Sequence, residues 1–233
     1  RLQEVMPEFG VESGLVGIGS KFAAEKKQMG HEDGKALDSP EWQEISVAGG
    51  KTNTKYRMQK IQKTIDQEVM LTNPGYKNGG PEYRQNCQRC VAAYVMRKRG
   101  YDVIAKPAVV DENGELSSKD PMSKKWKHIF ADTNFQFYTG YDGGKEEIIS
   151  QMSKWEEGAV AEIRVMWDSK HAHVFVAEKI GDAIRFVEPQ KGACNCEHYF
   201  TDAIIGGTMM ARIDGHEPTD LIELCIINRG GKE

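Results

Sequence analysis

At 233 residues the chain can bury a substantial core, and one large domain, with or without a smaller appendage, is the expected plan. A net charge of −4 gives no whole-chain reason for binding nucleic acid or an anionic membrane. Apolar runs stay well short of the roughly 20 residues that cross a bilayer, and no signal-peptide pattern opens the chain.

A chain that starts on Arg1 is expected to be a piece of a longer protein, with any address lying outside it. Its five cysteines, spaced as Cys87 with Cys90, Cys194 with Cys196, and Cys225 alone, do not make the framework of a small secreted domain. They are expected to be reduced, with Cys225 a buried small hydrophobe in the run from Leu221 to Ile227.

Residues 1–78 read as an irregular or helical lead-in of unknown role, with short helical stretches around Lys21 to Met29 and Pro40 to Glu44. From Lys55 to Leu71 the recurrence of Met58, Ile61, Ile65 and Val69 predicts an amphipathic helix. Asn73-Pro74-Gly75 and Gly79-Gly80-Pro81 then break the chain. Asn86 is placed to cap a helix that runs from Cys87 to the basic cluster Arg97-Lys98-Arg99, a solvated end that Gly100 stops.

Tyr101 to Val110 is strand-like, but Pro107 confines it to an edge. A polar turn over Asp111 to Asp120, a short helix over Met122 to Ala131 and a helix over Lys145 to Trp155 follow. The second half turns to sheet, with strands over Ala159 to Trp167, His171 to Ile180, Ala183 to Glu188, Thr208 to Ile213 and Leu221 to Asn228. The expected fold is α+β, with the cysteine-bearing helix packed on an antiparallel sheet.

Two of these elements carry chemistry. Unpaired N–H groups and the positive end of the macrodipole favour a thiolate in a first helical turn, where Cys87 sits. Gly181-Asp182 suits a two-residue hairpin, which puts His173 opposite Gln190 and Phe175 opposite Glu188. Cross-strand partners share a face, so His173, Glu188 and Gln190 are expected to project together. An imidazole beside a carboxylate is held in one tautomer.

A helix-entry cysteine followed by a distant strand histidine and a polar orienter is the chain order of papain-like enzymes. Four stretches make the resemblance specific: Asn86-Cys87-Gln88-Arg89-Cys90-Val91, Arg99 to Pro107, His173-Val174-Phe175-Val176-Ala177-Glu178 and Val187-Glu188-Pro189-Gln190. Together they resemble the papain-fold toxin domain of bacterial polymorphic toxins, found also at the ends of prophage head-associated proteins. The resemblance covers roughly residues 79–228 and places the domain at 79–233.

It implies a cysteine amidohydrolase, either a protease or a glutamine deamidase, with no cofactor and no metal. Cys87 is then the nucleophile, His173 the base and then the acid, and Glu188 the orienter. The usual Asp-Pro-Gln stands here as Glu188-Pro189-Gln190, one methylene longer, with Gln190 a further support for the ring or an oxyanion. Gln85, just upstream of the thiol, is an oxyanion-hole candidate. The implied partners are a protein substrate in a target-cell cytoplasm and a cognate immunity protein, with neither nucleic acid nor membrane involved.

Cys90 is an alternative nucleophile, although one turn deeper it points into packing. His171 is an alternative to His173 on the same strand face. Two rivals stay open. One is a non-catalytic phage structural or protein-binding module that keeps the fold. The other is a zinc site built from Cys87, Cys90, Cys194, Cys196 and His198.

Overall fold

The computed structural model describes residues 56, 57, 59, 63–168 and 171–229. The two short helical stretches expected before residue 50, and the positions of Met58 and Ile61, lie outside the described residues. Helix α1 (Ile65–Thr72) starts where Thr64 and Gln67 form a reciprocal capping box. The helix expected from Lys55 therefore begins ten residues later. Upstream of it the backbone instead runs beside residues 100–102, through Gln59 N–H to Gly100 O at 2.8 Å and Asp102 N–H to Arg57 O at 2.7 Å.

A four-residue helix α2 (Gly75–Asn78) leads to α3 (Cys87–Lys98), whose residues are buried from Cys87 to Arg97. Its basic end is not the solvated tip the sequence suggested. Arg97 is 1% exposed and donates to Glu68 Oε2 at 2.7 Å, while Lys98 reaches Glu178 at 3.2 Å. Arg99 donates to the carbonyl of His216 at 2.6 Å and stacks on Phe130. These cations tie α3 to α1 and to the sheet, because a buried guanidinium must be paired to offset its lost hydration.

Strand β1 (Val103–Ala105) ends before Pro107 and pairs antiparallel with β7 (Ile226–Asn228). The expected strand over Leu221 to Asn228 is thus halved. Thr219 accepts from Leu221 N–H and turns Asp220 to Leu224 into 3-10 helix. The helix expected over Met122 to Ala131 is likewise short, α4 (Met122–Lys125) passing into a 3-10 turn at Trp126 to His128.

The main sheet is wholly antiparallel, in the order β2 (Gln136–Tyr138), β6 (Thr208–Arg212), β3 (Val160–Met166), β4 (Ala172–Ile180) and β5 (Ala183–Val187). Strand β2 had no signal in the sequence, being three residues with two of them exposed. Alternation along β4 divides the core into two layers. Val174 and Val176 join the cluster that holds Cys87, Val91 and Tyr94 of α3. Phe175 and Ala177 join the opposite cluster, with Ile148 and Met152 of α5 (Lys145–Met152) and with Tyr199 and Phe200. The antiparallel sheet is therefore sandwiched between the cysteine helix and a second layer of mixed aliphatic and aromatic side chains. This is the expected α+β plan, with the cysteine-bearing helix packed on an antiparallel sheet.

Candidate active site

The β4–β5 hairpin has the expected register, Val176 facing Val187 and Ile180 facing Ala183 across a turn in which Gly181 has φ of 56°. The ladder stops at Val187. Pro189 has no N–H to extend it, and the chain folds back so that the amides of Gly192 and Ala193 both donate to Glu188 O. The ladder pairs expected beyond Val187, Phe175 with Glu188 and His173 with Gln190, are accordingly not made.

The expected side-chain contact is made nonetheless. Nε2 of His173 hydrogen-bonds Oε2 of Glu188, and both residues are buried. With Nε2–H directed at the carboxylate, Nδ1 is left as the basic nitrogen of the ring.

Glu188 Oε1 accepts the backbone N–H of Gln190 at 2.9 Å, and the Tyr199 phenol is among the neighbours that favour the charged form of this carboxyl. Burial alone would keep Glu188 protonated. The facing His173, together with these donors, outweighs burial and holds the carboxyl below its ordinary range. Three aromatic rings surround the imidazole: Trp167 stacked at 6.3 Å, Phe175 at 6.4 Å and Tyr199 edge-on at 5.0 Å.

Cys87 enters from the other layer. Asn86, just before it, occupies the N-cap position, but its side chain makes no capping bond. Its amide instead joins separate segments. Oδ1 accepts from Gln190 Nε2 at 3.3 Å, from Asn73 Nδ2 at 3.2 Å and from the Cys90 thiol at 3.3 Å, while Nδ2 donates to Lys106 O at 3.0 Å. Tyr94 and Lys98, farther along α3, bond Glu178 near the other end of β4. The cysteine end of α3 therefore lies at the His173 end of the strand, with the Glu188–Gln190 turn between them.

Burial does not separate the two thiols, since Cys87 is 0% and Cys90 1% exposed. Burial first, then the charges of Cys87 and Glu188, push the Cys90 thiol well above its ordinary value, and its hydrogen goes to Asn86. Cys90 is thus held as a neutral thiol.

His171 sits beside Asp168 in an exposed local pair, away from Glu188. Gln85 is buried, its Nε2 at 3.5 Å from Glu115 Oε2 and its Oε1 without a hydrogen bond among the described residues. No group of three or more His, Cys, Asp or Glu among the described residues is placed to hold a metal ion, so the five-residue zinc arrangement is not formed. Sequence reasoning missed Asn73, which looked like a loop breaker, and Tyr199, which reaches the site only through the fold.

Residues 85–193 match the family model described as papain fold toxin 1, glutamine deamidase. This segment is similar to the papain-fold toxins. The matched stretch holds Cys87, His173, Glu188 and Gln190 together. No curated protein and no solved structure matches the chain. The family that the stretch matches is described as papain-fold toxins with glutamine deamidase activity. No helix among its described residues is long and apolar enough to cross a membrane.

Proposed function

We propose that the domain deamidates glutamine side chains of a target-cell protein through Cys87, His173 and Glu188. The observation that carries this reading is the buried His173 Nε2 contact with Glu188, which leaves Nδ1 as the basic nitrogen of the ring. Nδ1 takes the Cys87 proton, and sulfur attacks the carboxamide carbon to give a tetrahedral oxyanion. Collapse breaks the C–N bond, and the imidazolium proton leaves with the nitrogen as ammonia. Water, deprotonated by His173, then attacks the thioester, releasing glutamate and returning the proton to sulfur.

Glu188 stabilises the imidazolium of each half-reaction, and donors near Cys87, the Gln85 amide among them, serve the oxyanion. Deamidation is favoured over proteolysis because the matching family is described by that activity. A cognate immunity protein and delivery within a longer bacterial or phage protein belong to the same reading.

The test is expression in a bacterial cytoplasm followed by mass spectrometry of the host proteins. Gln-to-Glu mass shifts that vanish with Cys87→Ala are expected. New chain termini in their place point to a protease, and full toxicity of Cys87→Ala excludes this nucleophile. One observation favours a second reading, a binding module that keeps the fold without catalysis: the complete burial of Cys87. That module leaves Cys87 inert to iodoacetamide in the folded wild-type protein, whereas the enzyme alkylates there and loses the reactivity with His173→Ala.

A further inference from the structure

Asn73 lies upstream of the matched residues 85–193. Pro74 disfavours helical backbone at the residue before it, so α1 ends at Thr72 and Asn73 leaves it with φ of −131° and ψ of 72°. The residue is 6% exposed, and its amide reaches both halves of the site. Nδ2 donates to the carbonyl of Gln190 at 3.1 Å, to Asn86 Oδ1 at 3.2 Å and to the carbonyl of Tyr83 at 2.9 Å, sharing two hydrogens among three acceptors. Oδ1 accepts from Asn86 Nδ2 at 3.3 Å, so the two carboxamides face each other reciprocally.

We propose that Asn73 is a positioning residue, a clasp that holds the Cys87 end of α3 against the Glu188–Gln190 turn, so that the catalytic unit includes α1. The inference rests on the deamidase reading for what is being positioned, though not for the clasp itself. Asn86 and Gln190 join helix and turn directly at 3.3 Å, near the long end for an N–H donor. One such contact leaves the two segments free to pivot about it. A third amide that grips both Asn86 and the Gln190 carbonyl removes that freedom. Helix α1 holds the clasp in place from two sides. Its Glu68 is tied to Arg97 of α3 at 2.7 Å and its Val69 packs in the cluster that contains Cys87. On the turn side, Gly192 has φ of 75°, and a Cβ there would stand 3.5 Å from the Met70 Cα.

The experiment compares the full chain with Asn73→Leu and Thr72→Val. Asn73→Leu is near-isosteric and uncharged but bonds neither partner. Thr72→Val removes the Oγ1 hydrogen bond to the Glu68 carbonyl at 2.9 Å, one residue away, and leaves the clasp intact. Both variants are expected to lower Tm. Asn73→Leu alone is expected to slow Gln-to-Glu conversion in a bacterial lysate by about 10- to 100-fold per folded molecule. It alone is also expected to speed hydrogen exchange at the Gln190 N–H, which Glu188 Oε1 accepts, by about tenfold. Conversion within about twofold of Thr72→Val, or wild-type exchange at Gln190, overturns the proposal.

Should Asn73→Leu fail to fold, the wild-type spectrum decides. Slowly exchanging side-chain amide protons of Asn73 with cross-relaxation to those of Asn86 support the clasp, and rapid exchange without cross-relaxation overturns it. Failure of the deamidase reading shows separately, as a wild type that converts no glutamine, and leaves the exchange comparison to decide.

Discussion

Asn86 and Gln190, 104 positions apart, share a hydrogen bond of 3.3 Å that joins the mouth of the cysteine helix to the turn carrying Glu188. Asn86 also holds Asn73 and the carbonyl of Lys106. Replacing it with alanine strands buried polar groups on three segments, at a cost of about 3 kcal/mol. Urea unfolding of Asn86→Ala measures this, and a loss smaller than about 1 kcal/mol shows that the network is incidental.

Glu188→Gln keeps the volume but removes the charge facing His173. Deamidation is expected to fall by about 10²- to 10⁴-fold, because the ring loses both its orienter and the partner of its charged form. The carboxyl is also held below its ordinary range in the folded protein. Its contribution to stability is therefore present above the ordinary carboxylate value and is lost as pH falls through the lower, folded one. An acid-unfolding curve for Glu188→Gln should lack that component. A curve superimposable on wild type contradicts the assignment.

Glu162 shows the opposite sign. It lies on β3, 2% exposed, and its Oε1 makes no hydrogen bond among the described residues. Burial pushes its carboxyl up from 4.5 to about 8. Between those values the unfolded chain is ionised there while the folded one is not, so stability declines as pH rises across the interval. Glu162→Gln should remove the decline and raise stability near pH 8 by about 1–3 kcal/mol. Thermal melts on either side of neutrality check this, and equal Tm shifts at both ends refute it.

The pair Arg97 with Glu68 is buried on both sides, at 0% and 5% side-chain exposure. Breaking it with Glu68→Ala leaves the buried guanidinium with only the longer Asp102 contact at 3.5 Å as its charged partner, and should cost about 3 kcal/mol. A fragment starting at residue 79 loses the same carboxylate together with Val69, so it is expected to unfold at lower denaturant than the full chain. Equal midpoints for the fragment and the full chain would show that α1 adds nothing to the domain.

Cys90→Ala is expected to retain deamidation within a few-fold, since its thiol is held neutral against Asn86. It should cost about 1–2 kcal/mol of stability for the lost packing and hydrogen bond. An inactive but folded Cys90→Ala moves the nucleophile one turn along the helix.

Local pattern determined a good deal of this protein. The helix from Cys87 and the hairpin about Gly181-Asp182 follow from periodicity and a two-residue turn, because strand register propagates two residues at a time from the turn, as far as Val187; the meeting of His173 with Glu188 was expected from that register but is made outside the ladder. What spacing does not carry was decided by tertiary structure. Asn86 gave up capping for Gln190 and Asn73, and Arg97 turned inward to Glu68, because a buried polar group takes whichever partner the fold brings near it. Tyr199 and the short strand β2 were invisible for the same reason: each owes its place to a surface supplied by distant segments, and no neighbour in sequence records it.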